Sequence, residues 1–354
     1  MPVTIKDIAR ICKVSTATVS RTVNGKENGV GTKTRSRILA AISKTGYTPN
    51  AIARSMVTRR TNTIALIVPD ICNPFFAELA RGVGDACHEK GFHLFLCNTD
   101  GSPEQEHGQV QFLHEKLVDG MIMTTQNVVE DNTDIAKFIK EGYPFVAIER
   151  YVSGVTVPLQ LNIDNKGGIK RAVSYLVSRG HRRIAFIRGP REAANAKMRF
   201  DGYREGLAAH HIPYDPGLVV YGDYKMQSGY DGINRILKKA GTSGEAPSGK
   251  KFTAVIGCSD LMTVGACSAL LDQKIRIPQD ISVVGFDNIP LTGMIYPRIT
   301  SVGVSINELG RTAAEMLLNR IKGARENRDI LMPCTLTERG SVRSLASAKR
   351  SLYE

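Results

Sequence analysis

The sequence predicts an α/β protein of two doubly wound parallel-sheet lobes behind a small all-α N-terminal headpiece. Three observations carry this. From Thr61 onward, short runs of consecutive apolar residues alternate with amphipathic segments of helical period, the pattern of strands buried on both faces and covered by helices. About 280 residues of that pattern suggest two sheets rather than one. Before residue 61 the pattern is different: apolar residues recur only at helical spacing, in short segments broken by Gly and Asn.

In the headpiece, Thr4 followed by Asp7 reads as a helix start of the capping-box kind, and Ile5, Ile8, Ala9 and Cys12 then share one stripe. Ser15 can cap a second helix whose Val19 and Val23 face inward, with Asn24 and Gly25 as its stop. Two short helices this close form a helix-turn-helix candidate. A third helix is expected with Thr32 or Thr34 as its cap, burying Ile38, Leu39, Ala41 and Ile42 and ending at Gly46. After the break at Pro49, Asn50 can cap a stretch over 51–56 with Ile52, Ala53 and Met56 on one side. Two turns fall short of the ~12–15 residues a helix needs alone in water, so this stretch should become helical only when something packs against it.

In the remainder, strands are expected at 64–68, 93–96, 120–123, 145–148, 184–187, 254–257 and 282–286. Helices are expected at 75–90, 103–116, 133–141, 166–179, 200–210, 228–239, 260–272 and 305–321. Ligands of doubly wound folds sit at the carboxyl ends of strands, which directs attention to the loops after Val68, Ile148, Ile187, Gly257 and Phe286. The segment 241–251 imitates a phosphate loop at Gly244 to Lys250. It fails the context test, because Lys251 stands where a hydroxyl is needed, no strand precedes it and a strand follows. Gly82 and Gly84 make only part of a dinucleotide fingerprint, inside a helix.

Composition narrows the function. With 42% hydrophobic and 23% charged residues the chain is globular rather than disordered or fibrous. It has no run of 18 apolar residues, and the basic residues of 1–25 do not precede an apolar segment, which argues against a membrane span and a secretory signal. The seven cysteines are scattered without a C-x-x-C pair, so neither a disulfide framework nor a zinc site is expected; a reducing, cytoplasmic setting fits, with no metal and no cofactor. The formal net charge is +13, and its placement is uneven. In residues 1–60 twelve Lys or Arg stand against only Asp7 and Glu27. Basic charge concentrated in one small module is the footprint of a polyanion binder, since each phosphate neutralised releases counterions.

The residues resemble the lactose-repressor/galactose-repressor (LacI/GalR) family over positions 3 to about 340. The stretch VTIKDIARICKVSTATVSRTVNG resembles that family's DNA-reading headpiece, TRSRILAAISKTGYTPNAIARS its third helix and hinge, and IALIVPDICNPFFAELARGV the opening of its sensor. Further likenesses are VDGMIM, SRGHRRIAFIRGP, RFDGYREGL, SDLMTVGA and IRIPQDISVVGFDNIP, and the sensor resembles the ribose-type regulators most. The resemblance implies a headpiece at 1–48, a hinge at 49–60, a periplasmic-binding-protein-like sensor at 61–342 and a tail at 343–354. Within the sensor, an N-lobe of about 61–160 plus 288–322 and a C-lobe of about 161–287 plus 323–342 are expected.

It also implies a homodimer on a pseudo-palindromic DNA operator, most often as a repressor. Carried over by position, Thr16, Ala17 and Arg21 would meet base edges, Arg21 being able to grip a guanine with two bonds. Thr4, Ser15, Thr18, Ser20, Asn24 and Thr32 would meet phosphates, and Asn50, Ala53 and Met56 the minor groove. In the sensor the resemblance assigns a small carbohydrate-type effector, a sugar, sugar acid or sugar phosphate, to Asn73, Phe75, Phe76, Glu149, Arg150, Arg199, Ser259, Asp260, Phe286 and Asp287. Phe75 and Phe76 read equally as core. Glu149, Ser259 and Val304 depart from the sugar-binding pattern, and the cations Arg150, Arg188, Arg191, Lys197 and Arg199 raise the expectation of an anionic effector. Two other classes remain open here. A solute receptor would share the sensor but not the basic front end, and an enzyme would need a nucleophile–base pair, metal cluster or nucleotide loop that the sequence does not display.

Overall fold

The computed structural model describes residues 3–25, 29–48, 60–115, 118–124, 133–150, 152, 155–240 and 252–345. The expected hinge residues Asn50, Ala53 and Met56, the 241–251 loop and the tail from 346 lie outside the described residues. The chain divides into two units, Met1–Thr61 and Asn62–Glu354.

The first unit holds three helices, α1 (Ile5–Ile11), α2 (Thr16–Val23) and α3 (Thr32–Thr45). Ile8, Ala9, Cys12, Val19, Ile38, Ala41 and Tyr47 form its core. Asp7 accepts hydrogen bonds from the Thr4 amide and hydroxyl at 3.0 and 2.7 Å, and the Thr18 amide donates to Ser15 Oγ at 3.1 Å, so both expected N-caps are in place. Helix α3 departs from expectation at two points. Its N-cap is Gly31, not Thr32 or Thr34, and Leu39 is 49% exposed because it lies one residue off the Ile38–Ala41 stripe.

The second unit contains two six-stranded sheets. The chain first lays down β1 (Thr63–Val68), α4 (Pro74–Glu89), β2 (His93–Asn98), α5 (Pro103–Glu115), β3 (Gly120–Thr124), α6 (Thr133–Lys140), β4 (Phe145–Ile148) and β5 (Leu159–Ile163). It continues through α7 (Asn165–Ser178), β6 (Ile184–Arg188), α8 (Ala194–Ala209), β7 (Val219–Tyr221), α9 (Met226–Ala240), β8 (Ala254–Gly257), α10 (Asp260–Asp272), β9 (Ser282–Phe286) and β10 (Thr300–Gly303). Then α11 (Ile306–Ile321), β11 (Arg328–Met332) and β12 (Thr335–Thr337) follow. The first sheet runs β11-β5-β4-β3-β1-β2, all parallel; the second runs β12-β10-β9-β8-β6-β7, parallel except for β12.

Alternation along β1 shows why these strands are apolar throughout. Ile64, Leu66 and Val68 pack with α4 and α11, whereas Ala65 and Ile67 pack with Val110 and Leu113 of α5 and with α6. Both faces are covered, so every position from Ile64 to Val68 is buried.

The order of pairing corrects the expected lobe boundaries. Strand β10 pairs with β9 in the second sheet, so 300–303 belongs there and not to the first lobe. Strand β11 pairs with β5 in the first sheet, so 328–332 belongs to the first lobe and not the second. The chain therefore passes between lobes near 164, near 304 and near 334. Helix α11 returns to the first lobe by packing against α4, where Gly82 and Gly310 let the two backbones approach: a Cβ on Gly82 would overlap the Asn307 carbonyl and one on Gly310 the Leu79 carbonyl.

Candidate functional site

The two lobes meet around a cavity at the carboxyl ends of their strands. Asn73, Phe75, Phe76, Thr124 and Glu149 line it from the first lobe, and Asn195, Arg199, Tyr224, Ser259 and Asp287 from the second. Asn73 is held by its own helix: it is the N-cap of α4 and accepts from the Phe75 amide at 3.0 Å. Phe75 and Phe76 follow in the first turn, edge to face with centroids 5.2 Å apart. Ser259 caps α10 in the same manner, accepting from the Met262 amide.

Three of the lining residues, Glu149, Tyr224 and Asp287, have φ of +51°, +68° and +111°. Non-glycine residues avoid this region at a cost of about 1–3 kcal/mol each, and such strain gathers at binding sites.

The polar groups form one buried network that crosses between lobes. Arg199 donates from Nε to Asn165 Oδ1 at 2.7 Å and from Nη1 to the Cys258 carbonyl at 2.6 Å and to Asp287 Oδ1 at 3.1 Å. Asn165 passes the connection on, its Nδ2 donating to Glu149 Oε1, which also accepts from the Ile163 amide at 3.3 Å. The guanidinium lies 3.9 Å from the Phe286 ring centroid. On the same wall as Arg199, Tyr224 donates its hydroxyl to Asn195 Oδ1 at 2.8 Å.

Charge inside the network is costly, and the titration behaviour reflects it. Burial pushes Asp287 up to about 6, against the pull of Arg199, and Glu149 adds to the rise. Burial likewise raises Glu149, opposed by Arg199 and the Asn165 bond. Burial works against the Arg199 charge, but Asp287, Tyr224, Cys258 and Glu149 outweigh it and hold its pKa above the usual value.

Seven of the ten residues expected at the effector site thus line one cavity, and three do not. Arg150 is buried away from it in a two-bond pair with Glu106 of α5, at 2.9 and 2.6 Å, because successive residues at the end of β4 turn to opposite faces of the sheet. Asp260 sits behind the wall, accepting from Ser301 Oγ at 2.7 Å and the Ile289 amide at 2.8 Å and so tying α10 to the loop after β9. Burial, with Asp287 next, raises its pKa well above the ordinary carboxylate value. Phe286 is the platform under Arg199.

The cations that raised the expectation of an anionic effector are, except for Arg199, placed away from the cavity. Arg188 stacks on Phe200 and Tyr221, Arg191 stacks on Tyr221 and Lys197 is exposed, so among the described residues Arg199 is the one cation on the wall, facing two carboxylates.

Sequence reasoning missed Thr124, Asn195 and Tyr224. Thr124 ends β3, and the strand-end rule extended to that expected strand would have found it; Tyr224 lies in the loop after β7, a strand the sequence reading did not expect.

In the headpiece, Thr16, Ala17 and Arg21 of α2 are exposed on the side away from Val19 and Thr22, and Thr4, Ser15, Asn24 and Thr32 are exposed as well. Thr18 and Ser20 are half-buried. Ser15 Oγ lies 2.9 Å from Thr18 Oγ1, and Asn24 Nδ2 donates to the Ser20 carbonyl at 2.8 Å. Among the described residues no cluster of ligating side chains could hold a metal, and no helix is long and apolar enough to cross a membrane.

A helix-turn-helix unit joined to a two-lobed cleft of this construction defines the class of ligand-controlled transcription regulators. Residues 4–50 match the model of the bacterial regulatory proteins of the lacI family, and residues 173–342 that of the periplasmic binding protein-like domain. The chain is 34% identical over 318 residues to catabolite control protein A of Priestia megaterium, covering 90% of this chain and 92% of that one. It is 32% identical over 351 residues to the ribose operon repressor of Escherichia coli strain K12, covering 96% and 99%. A solved complex of the transcriptional regulator CelR with cellobiose matches at 32% identity with a TM-score of 0.69, over 96% of this chain and 99% of that one. The chain belongs to the lacI family of bacterial regulatory proteins, and it is a DNA-binding regulator, not an enzyme.

Proposed function

We propose that the protein is a cytoplasmic homodimeric repressor that reads a pseudo-palindromic operator with α2 and releases or gains it according to a neutral polyhydroxylated effector in the interlobe cavity. The observation that carries the reading is the exposed Thr16–Ala17–Arg21 face of α2, in a headpiece with its own core. Arg21 reads a guanine edge. Thr4, Ser15, Thr18, Ser20, Asn24 and Thr32 hold phosphates, and Asn50, Ala53 and Met56 of the hinge enter the minor groove. In this reading the headpiece is 1–48, the hinge 49–60 and the sensor 61–342.

The cavity chemistry supports the effector class. One guanidinium balanced by two carboxylates offers donors and acceptors to hydroxyl groups and repels a second anion, while Phe75 and Phe76 supply apolar faces. The ribose named for one relative and the cellobiose in another's complex are of this class. The free space is about 30 Å³, room for one water, so the lobes must part to admit any sugar. Three chain crossings near 164, 304 and 334 are where that motion turns, and its consequence is a new spacing of the two headpieces.

The test is selection of bound duplexes from genomic fragments by the full chain, followed by calorimetry against neutral sugars, sugar acids and sugar phosphates. Arg21→Ala should weaken the selected duplex about 5–150-fold, equivalent to ~1–3 kcal/mol, and relax preference at one base pair. Failure to prefer any palindrome over random competitor, or tight binding of sugar phosphates alone, would overturn it.

A further inference from the structure

At the opposite end of the first lobe from the cleft lies a second cavity, of about 420 Å³. Its wall is formed where α11 ends and β11 begins, and it carries Arg320, Lys322, Arg325 and Arg328 against the single carboxylate of Glu326. The apolar side chain of Met316 forms part of the floor.

These cations are not consumed by the fold. Arg320 bonds the Glu326 carbonyl at 3.0 Å, which closes the turn after α11 and leaves its charge uncompensated. Arg328 reaches Glu326 only at 4.0 Å, with both side chains mostly exposed. Among the described residues Lys322 and Arg325 make no ion pair. The nearby Asp329 accepts from Asn162 instead. Two of the cations also exceed what complements a helix C-terminus, since Arg325 and Arg328 lie beyond the last turn of α11.

Four cations lining a concave site that holds one carboxylate give the chemistry of phosphate recognition. We propose that this cavity is a second ligand site of the protein, separate from the effector cleft, and that it takes phosphate groups.

Two sources would present the same chemistry: a free phosphorylated compound, or the backbone of DNA flanking the operator. Because β1, β5 and β11 are parallel, Arg328 lies at the same end of the sheet as Thr63, where β1 begins, opposite the end that faces the effector cleft.

The experiment uses the full chain and the double variant Lys322→Glu/Arg325→Glu, which spares Arg320 and the turn it closes. Pyrophosphate is titrated by calorimetry. A selected duplex is titrated across salt concentrations, in minimal form and with one helical turn, about 10 base pairs, added at each end. If the source is free, the native chain takes up pyrophosphate saturably and the variant binds it at least about tenfold more weakly, with both duplexes unaffected. If the source is DNA, the variant loses affinity only for the extended duplex, with a salt slope shallower by about 0.9 for each phosphate it no longer neutralises. Equal pyrophosphate binding by the two proteins together with equal salt slopes on both duplexes would overturn the proposal. An unchanged thermal midpoint in the variant separates loss of the site from loss of the fold.

Discussion

Arg199→Met tests the energetics of the cleft most directly. Methionine keeps an apolar stem over Phe286 while removing the bonds to Asn165, the Cys258 carbonyl and Asp287. It leaves Asp287 and Glu149 buried with no cation on the cavity wall among the described residues. Removing one partner of a buried ion pair costs about 3–5 kcal/mol. For a unit of this size that is a fall of roughly 10 °C in thermal midpoint.

The fall should depend on pH, with a definite sign. Asp287 in the folded protein is already raised to about 6, above its unfolded value of about 3.9. Stability linked to it is therefore complete below about pH 3.9 and is lost as pH rises through 6. Without Arg199, which pulls that value down, Asp287 and Glu149 rise further, so the loss continues to higher pH and the gap from the native protein widens. Calorimetric scans of the effector-free proteins at about pH 5 and about pH 8 should show the larger difference at the higher pH. A variant that lost the same amount at both, or under about 1 kcal/mol at either, would refute the assignment of these carboxylates to a shared network with Arg199.

Gly82→Ala should separate α4 from α11, since the new methyl has only the backbone of Asn307 to displace; a loss of about 1–3 kcal/mol is expected by denaturant titration, far beyond an ordinary helix Gly→Ala gain. Ser15→Ala removes the acceptor of the Thr18 amide and should cost the headpiece about 1 kcal/mol, visible as lower hydrogen-exchange protection in α2. Glu106→Ala takes away the carboxylate partner of buried Arg150 and should cost about 3–5 kcal/mol of stability, while effector affinity measured below the midpoint changes little. A selective loss of effector affinity in that variant would instead return Arg150 to the cleft.

Local pattern determined a good deal of this protein. The stripes of α1 and α2, the caps at Thr4 and Ser15, and nearly every strand buried on both faces were legible because each depends on residues a turn or a pleat apart. The strands at Leu159–Ile163 and Arg328–Met332 were not, because Gln160, Asn162 and Asp329 interrupt the apolar run. Those polar side chains find partners across the sheet, Gln160 on the Arg150 carbonyl and Asn162 on Asp329, and such partners are invisible in a window of neighbours. Tertiary structure alone decided which lobe owned 300–303 and 328–332, since strand pairing is a contact between distant segments. It also decided the fate of the arginines. Arg150 and Arg199 are equally charged and almost equally buried, yet one is neutralised behind the sheet by Glu106 and the other faces the cavity with Asp287, because a buried charge takes its role from the partner that folding brings to it.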